Sequence, residues 1–391
     1  MKLFRKVLFW MHLCTGLFAA IVVVIMSVTG VLLTYELQLQ QWEAGGTVAV
    51  PASPETQRLP LEALIAAAGT GRMEPPSTIA VSSDPAQAVT LSWGREATVM
   101  VNPYTGEVLP EAPTTVRDSL ATLRVWHRWL GQEGESRDFG KSITGVCNMA
   151  FLFIVVSGIY LWMPRKWSLN AVKAVALFKS GLAGKARDFN WHNVIGVWSM
   201  IPLFFIVFSG AVISYPWVSD LVYTAFGEAA PARRAPSGPG GPPRGGGGPP
   251  VEKSEAPKPL AIEEFNLAAY VDKASESAPN WRTLRITLPQ SAKEPVSVAV
   301  DEGSGRQPHL QSTIEVERAT GSVLSVQRFS DQTPGSQARR ILRFMHTGEI
   351  GGVLGQTLAG LVSAGAVVLA YTGIALAWRR FRGWLARRAD A

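Results

Sequence analysis

Four of the chain's five histidines sit beside long apolar stretches that otherwise contain almost nothing ionisable. His12 and His192 stand before two of these stretches, and His127 and His346 precede two others. Imidazole is a neutral nitrogen ligand and the commonest protein donor to haem iron. Two such residues on each side of a membrane would suit one iron clamped axially at each face, and so point to electron transfer across a bilayer. The remaining sequence must supply the elements that hold them there.

The chain has 391 residues, is 47% apolar and carries a net charge of +7. Its mean hydropathy of +0.14 is too high for an ordinary water-soluble enzyme. Spanning a hydrocarbon core takes roughly 20 helical residues, and four stretches are long enough: Leu13–Tyr35, Ser142–Met163, Val194–Trp217 and Val353–Trp378. The first reads as a retained helix. It is too long for a signal-peptide core, and no small-residue cleavage site follows it. Lys2, Arg5 and Lys6 flank it. Arg165, Lys166, Lys173, Lys179, Lys185 and Arg187 follow the second stretch, and Arg379, Arg380, Arg382, Arg387 and Arg388 follow the fourth. The positive-inside rule predicts that all three clusters face the cytoplasm and that the long segments near 36–141 and 218–352 lie outside. These clusters account for most of the positive charge without a nucleic-acid partner. The two cysteines, Cys14 and Cys147, fall within the apolar stretches and read as buried thiols. The sequence lacks CxxC and CxxCH, which excludes covalent haem attachment and the usual zinc spacings.

The chain repeats itself. From His12, glycines follow at +4 and +18 (Gly16, Gly30) and a tyrosine at +23 (Tyr35); from His192 the same offsets give Gly196, Gly210 and Tyr215. "LRVWH" ends at His127 and "LRFMH" at His346. "VNPYTGEVL" (101–109) and "VERATGSVL" (316–324) share a pattern that predicts a hairpin around a Thr-Gly turn. The expected plan is helix, outer domain, helix, performed twice about an axis along the membrane normal. Each outer segment predicts a helix followed by alternating strands, a small α+β unit. Pro231–Pro250 is Pro/Gly-rich and reads as a flexible spacer. His309, among Gln307, Pro308 and Gln311, reads as a solvated surface residue.

A glycine at +4 shares a helix face with its histidine, so Gly16 and Gly196 would leave room for a flat macrocycle. Gly131 and the Gly348–Gly352 stretch would do the same near His127 and His346. Gly30, Gly158, Gly210 and Gly373 each follow Ser or Thr and read instead as close helix-packing positions. Arg124 and Arg343, one turn before His127 and His346, are candidate partners for haem propionates, with Arg5 and Arg128. The spans hold no Asp, Glu, Lys or Arg, which disfavours a carrier of charged solutes. Two histidines per side leave a tetrahedral metal short of ligands. The inner and outer pairs would lie roughly 27 Å apart along a helix.

With "SGIYLWMPR" (157–165) and "NWHNVIGVW" (190–198), these hairpins and paired His-Gly helix starts resemble the PepSY-associated transmembrane family, which includes iron-regulated inner-membrane proteins and ferrisiderophore reductases. The resemblance implies a membrane α-helical fold of four transmembrane helices in two parallel repeats, each with a small α+β PepSY-like periplasmic domain. The expected division is residues 1–35 (cytoplasmic N-terminus and first span), 36–126 (periplasmic domain 1), 127–163 (outer His segment and second span) and 164–191 (cytoplasmic loop). Residues 192–217 (third span), 218–259 (periplasmic linker), 260–333 (periplasmic domain 2), 334–378 (outer His segment and fourth span) and 379–391 (basic cytoplasmic tail) complete it. It further implies two non-covalent b-type haems, the inner on His12 and His192 and the outer on His127 and His346, relaying electrons to a periplasmic ferric siderophore or other Fe(III) chelate. Without a fused flavin or nicotinamide domain, a separate cytoplasmic or quinol donor would feed the inner haem. Two other readings stay open: a non-catalytic membrane protein whose outer domains bind a partner or protease, and a metal or siderophore transporter.

Overall fold

The computed structural model describes residues 2–48, 50, 57–69, 74–94, 97–163, 168–232, 261–289, 291 and 294–389. Arg165, Lys166 and most of the Pro/Gly-rich spacer lie outside the described residues. The helices are α1 (Lys2–Leu32), α2 (Glu36–Ala44), α3 (Leu61–Ala68), α4 (Thr115–Trp129), α5 (Arg137–Trp162) and α6 (Leu169–Ala176). They continue as α7 (Gly184–Ser214), α8 (Pro216–Ala225), α9 (Leu267–Ser277), α10 (Pro334–His346) and α11 (Gly352–Ala389). Seven strands are interleaved: β1 (Thr78–Ser82), β2 (Val89–Trp93), β3 (Ala97–Val101), β4 (Thr283–Thr287), β5 (Val296–Asp301), β6 (Gln311–Val316) and β7 (Val323–Arg328). The chain divides into two compact units: 1–44, 113–222 and 338–391 form the first, and 45–112 and 223–337 the second.

The first unit is a helical bundle with four segments long and apolar enough to cross a membrane: Leu3–Leu32, Gly134–Trp162, Gly184–Ser214 and Glu349–Arg388. The protein is therefore a multi-pass membrane protein. α1 and α7 each pack against both α5 and α11, closing a four-helix ring. Small residues let the helices approach: Ala19 and Val23 meet Cys147, and Ala366 joins Val155, Leu203 and Val207. Large apolar side chains face outward, such as Ile21 at 75% exposed and Leu354 at 84%. That inverted arrangement suits a lipid surround, in which nothing drives leucines inward. Cys14 is also exposed, contrary to the expectation of two buried thiols, whereas Cys147 is buried; both are free. Asp188 is completely buried near the start of α7, bonded by Arg187 and by Arg379 of α11 at 3.0 Å.

The helices begin earlier than the apolar stretches suggest. His12 lies ten residues into α1 and His192 eight into α7, so neither histidine opens its helix. The basic residues before them are helical too, because a helix satisfies its own backbone bonds while long side chains carry charge to the interface. His127 and His346 end separate amphipathic helices, α4 and α10, distinct from the spans that follow. The linker expected from residue 218 begins as helix instead: Val218 and Val222 of α8 are buried against Ala211 and Val212 of α7.

The second unit is one seven-stranded antiparallel sheet, ordered β3-β2-β1-β4-β5-β6-β7. The two outer segments thus share a sheet. β1 pairs with β4 along Ile79↔Ile286 and Val81↔Leu284, joining the strands of the two segments edge to edge. Period-2 alternation turns Leu284 and Ile286 inward while Thr283, Arg285 and Thr287 stay exposed. The inward face packs against α3 and α9 through Leu64, Ile65, Leu267 and Tyr270. Both Thr-Gly turns form with matching bonds. Asn102 N donates to Glu107 O and Gly106 N to Asn102 O; Glu317 N donates to Ser322 O and Gly321 N to Glu317 O. Gly106 and Gly321 sit at φ +73° and +70°, the left-handed region glycine tolerates. Backbone and hydroxyl donors of Thr320 hold the Glu317 carboxyl below its ordinary range. Ile286→Ala, at 0% exposure in the strand joining the segments, is expected to cost about 2–5 kcal/mol. A lowered unfolding temperature and faster proteolysis of the sheet in the detergent-purified chain would register it.

Candidate functional site

Each of the four membrane histidines meets a Ser/Thr-Gly dipeptide on a neighbouring helix. His12 Nδ1 lies 2.9 Å from Ser157 Oγ of α5, and His127 Nδ1 lies 3.0 Å from Thr29 Oγ1 of α1. His192 Nδ1 lies 2.9 Å from Thr372 Oγ1 of α11. His346 Nδ1 lies 3.3 Å from Ser209 Oγ of α7 and 2.8 Å from the Ile206 carbonyl oxygen. The next residue is glycine every time. A Cβ at Gly158, Gly30, Gly373 or Gly210 would stand 3.5, 3.5, 3.6 or 3.3 Å from Cε1 of the corresponding ring. Each imidazole therefore lies beside the backbone of the opposing helix at a glycine, and only at Gly210 would an added Cβ be tight against the ring.

The hydroxyl protons are already engaged within their own helices. Ser157 donates to Ile154 O, Thr29 to Ile25 O, Thr372 to Val368 O and Ser209 to Ile206 O, at 3.2, 2.7, 2.8 and 2.8 Å. The hydroxyl oxygen is then the acceptor, and each histidine donates Nδ1–H. The proton on Nδ1 leaves the Nε2 lone pair free. A metal-binding histidine is ordinarily held in this way, with one ring nitrogen donating to a second-layer acceptor while the other ligates.

The histidines fall into two pairs, one in ring contact and the other lining a common cavity. The rings of His127 and His346 have centroids 6.1 Å apart, with 63° between their planes. Two imidazoles on opposite sides of one metal ion, each about 2 Å from it, put their ring centres roughly 6 Å apart. His12 and His192 line one cavity of about 730 Å³, within the roughly 300–1,000 Å³ of ligand pockets. Gly16, Gly196, Gly158 and Gly373 line it as well. A Cβ on Gly16 would meet nothing within 4 Å, and one on Gly196 only Leu369 at 3.8 Å. Among the described residues, no cluster of three or more His, Cys, Asp or Glu could hold a metal ion. Two ligands at each place fit a group that brings its own equatorial donors, as haem does.

The family model for the PepSY-associated TM region matches residues 9–380. The chain belongs to this family. None of the curated proteins matches it.

In this PepSY-associated protein, cations gather at one end of the inner cavity: Arg5, Lys6, Lys185 and Arg380 line it, and none of the described lining residues is acidic. Arg5 donates to the carbonyls of Leu161 and Met163, at 2.6 and 3.2 Å. Arg380 lies 5.0 Å from the ring centre of Phe9 and 4.9 Å from that of Trp10. Basic residues at one end and an apolar body (Leu13, Val23, Phe151, Leu203) match the polarity of a flat hydrophobic molecule with carboxylates on one edge.

The outer cations are arranged differently. Arg124 is ion-paired with Glu36 of α2, so its charge already has a carboxylate partner. The Arg343 guanidinium lies 5.8 Å from the Phe344 ring centre, and that of Arg128 lies 4.9 Å from Trp129. Gly131 serves the turn that ends α4, at φ +77°, where an added Cβ would stand 3.0 Å from the Trp126 ring. Gly348 likewise turns the chain at φ +75°. His309 is exposed. Gly30, Gly158, Gly210 and Gly373, expected from the sequence to be helix-packing positions, each follow the hydroxyl that meets a histidine, a connection absent from that expectation. A signal was present: His12 precedes Thr29-Gly30 and His192 precedes Ser209-Gly210 by the same 17 residues.

Proposed function

We propose that the protein carries electrons across the bacterial inner membrane through two non-covalent b-type haems and reduces a ferric chelate, a ferrisiderophore, on the periplasmic side. The observation that carries this reading is the recurrence of two histidine pairs, one in ring contact and one lining a single cavity, with Nδ1 of every ring against a hydroxyl of a neighbouring helix. His12 and His192 would hold the inner haem, His127 and His346 the outer one. Bound there, the groups supply one-electron transfer. With two histidines to hold each group, the chain's own residues would serve as its protein ligands and leave no place for an external ligand such as oxygen. Arg5, Lys185 and Arg380 would take the inner propionates. On α1, His12 and the Thr29 that holds His127 are 17 residues apart, about 25 Å of helix, so one rigid element fixes the spacing of both levels.

The sidedness rests on the basic clusters, which put both termini in the cytoplasm and the sheet in the periplasm. The matched Thr-Gly turns and histidine contacts support two parallel repeats of one design. Ferric siderophores grip hard Fe(III) with oxygen donors, and reduction to Fe(II) weakens that grip. The electron donor is a separate cytoplasmic protein or quinol.

A reduced-minus-oxidised visible spectrum of purified protein, with haem quantified as the pyridine haemochrome, tests the reading. The expected result is about two b-type haems per chain, followed by their reoxidation when a ferric chelate is added to pre-reduced protein freed of excess dithionite. A colourless protein from haem-replete cells would sink it. That result would favour a PepSY protein that binds a partner or protease through its outer sheet.

A further inference from the structure

We propose that the four hydroxyl–glycine dipeptides, Thr29-Gly30, Ser157-Gly158, Ser209-Gly210 and Thr372-Gly373, are positioning residues that fix each ligand's tautomer and set the reduction potential of its haem. This inference rests on the two-haem reading above. Ordinary packing would not choose the same ring atom four times on four contact pairs. In each case Nδ1 faces the hydroxyl and Cε1 faces the glycine that follows it. The hydroxyl is itself oriented by a carbonyl of its own helix, so it accepts from the imidazole and does not compete for the ligating lone pair; at His346 the Ile206 carbonyl oxygen, at 2.8 Å, shares that role with Ser209 Oγ at 3.3 Å. A hydrogen bond from Nδ1–H raises the basicity of Nε2. A more basic ligand stabilises Fe(III) over Fe(II) and lowers the potential.

The dipeptides divide by site. Thr372 and Ser157 hold the ligands of the inner pair, while Thr29 and Ser209 hold those of the outer pair. Thr372 is completely buried, and valine keeps its shape while removing only the hydroxyl.

The test is a spectroscopic redox titration of full-length protein purified in detergent, comparing wild type with Thr372→Val and Thr29→Val. Each variant is expected to raise one midpoint potential and leave the other in place, and the two variants should move different haems. A tenfold shift in the Fe(III)/Fe(II) equilibrium constant appears as about 59 mV for one electron. Thr372→Ser and Thr29→Ser, which keep the hydroxyl, should restore the wild-type values. Should Thr372→Val lose its haem, Ser157→Ala reads the same haem through His12, with the same upward shift expected. Two retained haems with unchanged potentials would overturn the inference and leave the two-haem reading intact. Equal shifts of both haems in one variant would also overturn it. A wild-type chain without haem would overturn both.

Discussion

Replacing His346 with alanine should lower the haem content of the purified protein from about two per chain towards one, and abolish electron delivery to an external ferric chelate. The residue stands 6.1 Å, ring centre to ring centre, from His127, and its Nδ1 is fixed by Ile206 O at 2.8 Å. On the two-haem reading, removing it would leave the group one protein ligand, with a void where an imidazole was. Loss of a mere second-layer partner typically costs 10–100-fold in metal affinity, so loss of a ligand should exceed about 100-fold. On α1, His12 lies about 25 Å of helix from Thr29, which meets His127. The absorbance of a haem held by His12 and His192 should persist. The measurements are pyridine haemochrome content and the rate at which pre-reduced protein, freed of excess dithionite, is reoxidised by a ferric chelate. Unchanged haem content would show that His346 is not a ligand.

Gly140→Ala should have nearly as large an effect at the outer site, although Gly140 touches neither histidine. Its ideal Cβ lies 2.1 Å from Trp129 O and 2.9 Å from the Trp129 carbonyl carbon. Both are backbone atoms, so no side chain can rotate away. α4 ends two residues after His127. Leu130 takes φ +53° and its N–H bonds to Trp126 O at 3.0 Å, while Gly131 N reaches Val125 O at 3.4 Å. The same last turn is tied to α5 by Thr144 Oγ1, which donates to Arg128 O at 2.8 Å. An added methyl group must push this turn off α5 by about 1 Å. A displacement of that size in a positioned group can cost about 100-fold in rate, and overpacking typically costs about 1–3 kcal/mol in stability. His127 would be pulled from Thr29. The outer haem should be lost or altered in spectrum, and the inner haem retained. Equal loss of both would mean general unfolding rather than displacement of α4.

Much of the fold was legible along the chain. Long apolar runs without charge can only be helices in a bilayer, since no other segment satisfies its backbone there. Alternation around 284–288 marks a strand, which the structure forms over 283–287 with one buried face, and two Thr-Gly turns mark hairpins that the structure forms with the same bonds. The histidines stood out because so few polar side chains accompany them. Their exact depth did not, because hydropathy marks where apolar residues lie and not where a helix begins. His12 and His192 are accordingly well inside α1 and α7. The expectation for Arg124 could not anticipate Glu36, which lies 88 residues away on another helix.

The sequence by itself determined the chemical inventory: four spans, four histidines within reach of them, cations clustered at particular ends, and strands with a single apolar face. These follow from composition and local period, which each segment carries alone. Tertiary structure decided the partnerships. It joined β1 to β4, so that the outer segments form one sheet, and it brought each histidine to its hydroxyl across 98 to 180 residues of chain. No local pattern encodes such a meeting. It depends on which helices pack together and at what height, and that is settled by the fit of glycine backbones and imidazole rings across the bundle.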